Sequence, residues 1–146
     1  MDTIQLPQDF REFLRLLNLK KVEYLIIGGY AVVYHGYPRS TGDLDIWISK
    51  APENAYRTLE ALEEFGFSCP IDILLQDDQV VRMGIAPFRI EVLTTIDGVK
   101  FSDCYSTRVI ADVNGVEASL ISLPCLKENK RASGRSKDVT DLEHLP

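Results

Sequence analysis

Ile26-Ile-Gly-Gly-Tyr-Ala-Val-Val-Tyr-His-Gly-Tyr-Pro-Arg-Ser-Thr-Gly-Asp-Leu-Asp-Ile46 is the stretch on which the reading of this chain turns. Val22 to Ile27 is a short apolar run that ends at Gly28-Gly29, the pattern of a buried strand entering a turn. Gly29 to Gly36 resumes with Tyr30, Ala31, Val33 and Tyr34 and reads as a short helix. Leu44 to Ile48 alternates, with Leu44, Ile46 and Ile48 on one side and Asp45 and Trp47 on the other, as a strand with one buried face does. Asp43 and Asp45 are two residues apart, so on a strand they share a face, their Cα atoms about 6.5–7 Å apart. Two carboxylates that close repel unless a cation lies between them. Hard oxygen donors with few histidines nearby suit Mg2+ or Mn2+. The plainer alternative is that Asp43 caps a turn after Gly42 and Asp45 is a solvated strand residue. The glycine pair weighs toward the ligand reading, because glycines let backbone N–H groups approach a phosphate. It is not the dinucleotide-binding fingerprint, whose third glycine is missing.

Working outward, Phe10, Phe13, Leu14, Leu16 and Leu17 recur at helical spacing, predicting an amphipathic helix from Pro7 to about Leu19. Asn54 to Phe65 is helical by the same test, and Gly66 stops it. Val80 to Ala86 and Phe88 to Leu93 read as strands joined through Pro87. Arg108 to Val113 and Val116 to Leu120 form a hairpin across Asn114-Gly115, a favoured two-residue turn. Leu123 to Ala132 and Lys137 to Leu145 are the last helices, the first with Pro124 in its opening turn. The order predicts an α/β (α+β) fold, a mixed twisted sheet with helices mainly on one face, in a single domain over residues 1–146.

Bulk properties set limits. The chain of 146 residues is 45% hydrophobic and 26% charged, a composition that buries a core rather than staying disordered. Its net charge of -6 gives no general attraction for nucleic acid phosphates, so a nucleotide would need metal or a local basic cluster. Lys127 to Lys137 is such a cluster. Cys69, Cys104 and Cys125 match no zinc spacing and read as reduced thiols. The start, Met-Asp-Thr-Ile, has no signal-peptide pattern, and the longest apolar run is far short of a membrane span. A soluble, cytoplasmic protein is expected.

The quoted block resembles the signature of the polymerase-β-like nucleotidyltransferase superfamily: an apolar strand, a Gly-Gly or Gly-Ser pair, a short helix, then two acids around one apolar residue. With His35-Gly36, Arg39, Thr41 and Asp43-Leu44-Asp45 it is similar to the small prokaryotic branch of AbiEii-type toxins and minimal nucleotidyltransferases. The resemblance implies a third carboxylate on a neighbouring strand, and Glu91, out of phase with Ile90 and Val92, supplies it where many relatives carry Asp. It also implies metal held by Asp43, Asp45 and Glu91 and a nucleoside triphosphate, ATP among them, held by Gly28, Gly29, Arg39, Ser40, Thr41, Lys130 and Arg135. Lys130 and Arg135 would bind the triphosphate or brace the site. Asp138 and Asp141 would pair with Arg131 or cap the last helix. His35 would meet a phosphate or pack against the sheet; Arg39 would meet a phosphate or pair with Asp43. The expected activity is transfer of a nucleoside monophosphate to a hydroxyl of a protein, an RNA such as tRNA or a small molecule. The alternative is an inactive nucleotide-binding or protein-interaction module, and either could sit beside a toxin–antitoxin partner.

Overall fold

A computed structural model describes residues 6–85 and 87–146, so the expected end of the third strand at Ala86 and the first five residues lie outside the described residues. The elements are α1 Gln8–Leu19, β1 Tyr24–Ile27, α2 Gly28–Tyr34, β2 Leu44–Ile48, α3 Pro52–Phe65, α4 Ile71–Leu75, β3 Val80–Ile85, β4 Phe88–Leu93, α5 Phe101–Ser106, β5 Val109–Val113, β6 Val116–Leu120, α6 Leu123–Ser133 and α7 Ser136–His144. Local chemistry sets the boundaries. Gly66 closes α3 in the left-handed region, at φ 102. Asn114 and Gly115, both at positive φ, make the β5–β6 turn. Ser122 caps α6 by accepting from the Cys125 N–H. Among the described residues no helix is long and apolar enough to cross a membrane.

The six strands form one mixed sheet in the order β3-β4-β2-β1-β6-β5. β2 is its hinge of registers. It pairs antiparallel with β1, setting Ile27 opposite Asp45, and parallel with β4, setting Asp45 opposite Glu91. Residues in register share a face. Asp45 and Glu91 therefore stand side by side on the face that also carries Leu25, Ile27 and Trp47.

Both faces are covered, which corrects the expectation of helices mainly on one. On one face Tyr24, Ile26, Leu44, Ile46 and Ile48 pack with α1 and α3. On the other, Leu25, Ile27 and Trp47 meet Ala31, Cys104, Leu126 and Leu145. Trp47, expected on a polar face, is 2% exposed. The reason is α5, whose Phe101 ring meets the indole edge-to-face at 5.1 Å. Helices α4 and α5 were not legible in the sequence: at five and six residues, neither is long enough to display a helical period.

Trp47→Ala is expected to lower unfolding free energy by about 3–5 kcal/mol, the range for a large aromatic in a packed core. Denaturant unfolding measures it. A loss under about 0.5 kcal/mol would put Trp47 on the surface after all.

Candidate active site

Asp45 is the centre of the site, and its surroundings explain the glycines before it. Gly28 has φ +68, and a Cβ there would come within 2.2 Å of Asp45 Oδ2. Any other residue would collide with the carboxylate and also be strained. At Gly29 a Cβ would come within 2.1 Å of Thr41 Oγ1. The two glycines thus let the β1–α2 turn lie directly against Asp45 and the Thr41 loop.

The Asp45 carboxylate is electrostatically uncomfortable. Its Oδ1 is buried without a hydrogen-bond partner. Burial, then the neighbouring Glu91 and Asp43 carboxylates, push its pKa up to about 7, with Lys137 pulling the other way. The flanking acids are occupied. Asp43, one residue before β2, meets Arg89 Nη2 at 3.4 Å, and Glu91 accepts from Arg82, its register partner on β3. Among the described residues no three His, Cys, Asp or Glu side chains already converge as a metal-binding group. The structure sets Asp43 and Glu91 on either side of Asp45, each turned toward an arginine.

Two cavities flank Asp45. One, of about 560 Å3, is lined by Gly29, Arg39, Ser40, Thr41 and Asp43. The other, of about 340 Å3, is lined by Gly28, Glu91, Asn129 and Arg135. Asp45 and Lys137 line both. Lys137 was read only as part of a basic run. What singles it out is its place in the first turn of α7, beside the acids.

The basic residues divide. Lys130, expected among phosphate cations, is only 4% exposed; its ammonium lies 3.1 Å from Asp138 and 3.2 Å from Asp141. Held by two buried carboxylates, it is a brace. Arg39 pairs with Asp141, not with Asp43: Nε and Nη2 donate at 2.8 and 3.1 Å, while Nη1 donates to the Ser40 carbonyl. Arg39 therefore anchors the Ser40–Asp43 loop to α7. Asp138 and Asp141 pair with Lys130, Arg39 and Arg135, not with Arg131. Burial raises the Asp138 pKa, but hydrogen bonds from Arg135, Ser133 and Lys130 outweigh it and hold the carboxyl well below the usual range. Arg135 reaches Asp138 through Nε, yet its side chain is 62% exposed beside the smaller cavity. His35 packs at the end of α2, with Nε2 2.7 Å from the Ile121 carbonyl, and lines neither cavity. The three thiols are free.

No family model matches the chain, and no curated protein does. A solved structure does: the crystal structure of a candidate nucleotidyltransferase from Thermotoga maritima. It superposes with a TM-score of 0.63 over 92% of this chain and 88% of that one, at 18% identity. The two share a fold. At that identity the likeness is of architecture, a mixed α+β sheet flanked by helices; roles of single residues rest on the geometry above.

Two outcomes follow. With its pKa pushed up to about 7, Asp45 stays largely protonated in the folded, metal-free protein below that pH but ionises near the ordinary aspartate value of 3.8 when unfolded. The folded state binds the extra proton, so stability falls as pH rises from about 4 to about 7 and levels off above. Asp45→Asn should remove this slope and stabilise the metal-free protein above pH 7 by on the order of 2 kcal/mol. Equal slopes for both proteins in thermal melts would refute the assignment. Separately, Lys130→Ala should lose about 3–5 kcal/mol by leaving buried carboxylates unpaired, and exposed Arg131→Ala under about 0.5. Similar losses for the two would exclude the brace.

Proposed function

We propose that the chain is a nucleotidyltransferase that uses Mg2+ or Mn2+ to move a nucleoside monophosphate from a triphosphate, ATP among them, to a hydroxyl. The observation that carries this is Asp45: a carboxylate with a buried, unpartnered oxygen, beside Glu91 in register and Asp43 two residues away, at the junction of two cavities. The donors fit the metal by chemistry, being hard oxygens with one of them left without a partner.

Asp43, Asp45 and Glu91 would hold the ion, the arginines releasing Asp43 and Glu91 to it. A bound divalent ion would neutralise phosphate oxygens and polarise the reacting phosphorus. The protein's own groups do the rest. Gly28 and Gly29 keep side chains out of the turn where the phosphates lie. Ser40, Thr41, Arg89 and Lys137 offer donors along the larger cavity, and Arg135 along the smaller. Arg39 holds the Ser40–Asp43 loop in place from behind. Glu91 accepts the proton of the attacking hydroxyl. The new bond joins that oxygen to the α-phosphorus, and the bond to the β-phosphate oxygen breaks, releasing pyrophosphate.

A second reading has its own observation. Arg89 on Asp43 and Arg82 on Glu91 neutralise two of the three acids, as suits a module that binds nucleotide without turning it over. The likeness of the motifs to the AbiEii-type branch extends either reading to a toxin–antitoxin setting, which co-purification of a partner protein would support.

Metal-dependent pyrophosphate release from labelled triphosphates decides between them. Turnover is expected in the native chain and should fall on the order of 100-fold in Asp45→Asn. Binding of Mg2+ and triphosphate by calorimetry with no pyrophosphate released would favour the module. Undiminished release by Asp45→Asn would reject the site.

A further inference from the structure

A third cavity, of about 750 Å3, lies under α5 and belongs to neither of the two around Asp45. It begins at Trp47, which follows Asp45 by two residues on the same face of β2, about 6.5–7 Å along the strand. Thr95 lines both this cavity and the smaller one that holds Glu91. Three spaces therefore follow one another along β2: one beside Asp43, one between Asp45 and Glu91, and one beyond Trp47.

The lining is that of a small-molecule site. Trp47, Phe101 and Tyr105 supply rings, with Phe101 and Tyr105 stacked at 5.3 Å. Ser49 and Ser102 supply hydroxyls, while the Thr94 hydroxyl is held by the Gln79 backbone. The Trp47 indole Nε1–H is buried without an acceptor in the chain, a donor that a ligand seated against the ring would pair with. Charge is balanced. Lys50 is bound to Asp77, and the remaining wall charges, Lys100 and Glu23, are opposite in sign. Nothing in the lining calls for a net-charged ligand. The volume is within the range for a molecule of drug-like size.

We propose that this cavity is the acceptor site: it binds a small, uncharged, ring-bearing alcohol or phenol whose hydroxyl reaches past Thr95 to Glu91. The inference rests on the nucleotidyltransferase reading and names its acceptor class. The ring lies against Trp47 and Phe101. The hydroxyl proton passes to Glu91, the oxygen bonds to the α-phosphorus of the nucleoside triphosphate, and the bond from that phosphorus to the bridging β-phosphate oxygen breaks, its electron pair leaving with pyrophosphate.

Trp47 is the single tryptophan of the chain, so its emission reports on this cavity directly. The full-length protein is titrated with phenol and 4-hydroxybenzyl alcohol, with 4-hydroxybenzoate and tyramine as charged counterparts. The neutral compounds should change Trp47 emission saturably and bind at least about 5-fold tighter than the charged ones. Ala51→Phe and Ser102→Phe, both at exposed positions lining the cavity, should weaken that binding about 10-fold, while Asp45→Asn leaves it unchanged. With Mg2+ and α-labelled triphosphates, label should then appear on 4-hydroxybenzyl alcohol, and Ala51→Phe should suppress it.

No saturable change with any neutral ring compound, or equal binding by the filled variants, overturns the site. Binding without label on the alcohol, in a protein that labels macromolecules in a lysate, overturns the acceptor assignment and leaves the transferase reading standing. Ring binding in a protein that releases no pyrophosphate at all counts against the transferase reading and, with it, the acceptor role; the cavity's affinity for the ring stands apart from both.

Discussion

A carboxylate set into the middle of a sheet is the constraint around which this molecule is arranged. β2 has neighbours on both sides, so the Asp45 side chain cannot swing to the sheet's edge for water. Its ionisation is opposed by burial and by two more acids. A chain selected for stability alone would place an apolar residue there, since β2 is otherwise Leu44, Ile46, Trp47 and Ile48. What surrounds Asp45 reads as accommodation: a glycine where a Cβ would strike it, arginines on the flanking acids, and a lysine at the mouth. Local violations of packing rules of this kind gather where a fold does chemistry.

The sequence showed much of this because the relevant signals are short-range. Alternation along Leu44–Ile48 and the Asn114-Gly115 turn are encoded by neighbours, and the strands and their ends followed. Strand phase places Asp43 and Asp45 on one face from the sequence alone; Glu91 enters only through the resemblance, and the pairing of β2 with β4 sets it beside Asp45. The fold of the Thermotoga maritima protein agrees with that architecture and leaves the roles of the acids to chemistry. What was hidden depends on contacts distant in sequence. Trp47 was placed on a polar face because nothing near it announces that α5, more than fifty residues later, covers it. Lys130 as a brace and Asp138 as a cap of α7 match one of the alternatives the sequence offers, whereas the pairing of Arg39 with Asp141 does not, for a like reason. Charge pairs between remote elements follow from how those elements dock, and a run of alternating signs such as Lys127–Asp138 is compatible with many pairings.

That docking also separates two roles the sequence had merged. Cations in the C-terminal cluster look alike in a linear reading. In the fold, burial sorts them: Lys130 is sealed between two acids, Arg39 is bound to one of those acids, and Arg135 and Lys137 stay exposed beside the cavities. The first two hold the frame still; of the last two, Arg135 keeps one bond to Asp138 while its side chain stays largely exposed.

The Arg39–Asp141 pair joins residues 102 positions apart. On the ribosome, Arg39 emerges long before its partner exists. The glycine turn and the strand carrying Asp45 can form early, but the loop between them has no anchor until α7 is made. The loop that lines the larger cavity is therefore fixed only once α7 has been made. A nascent chain with Asp43 and Asp45 already made would still lack the contact that ties the Ser40–Asp43 loop down.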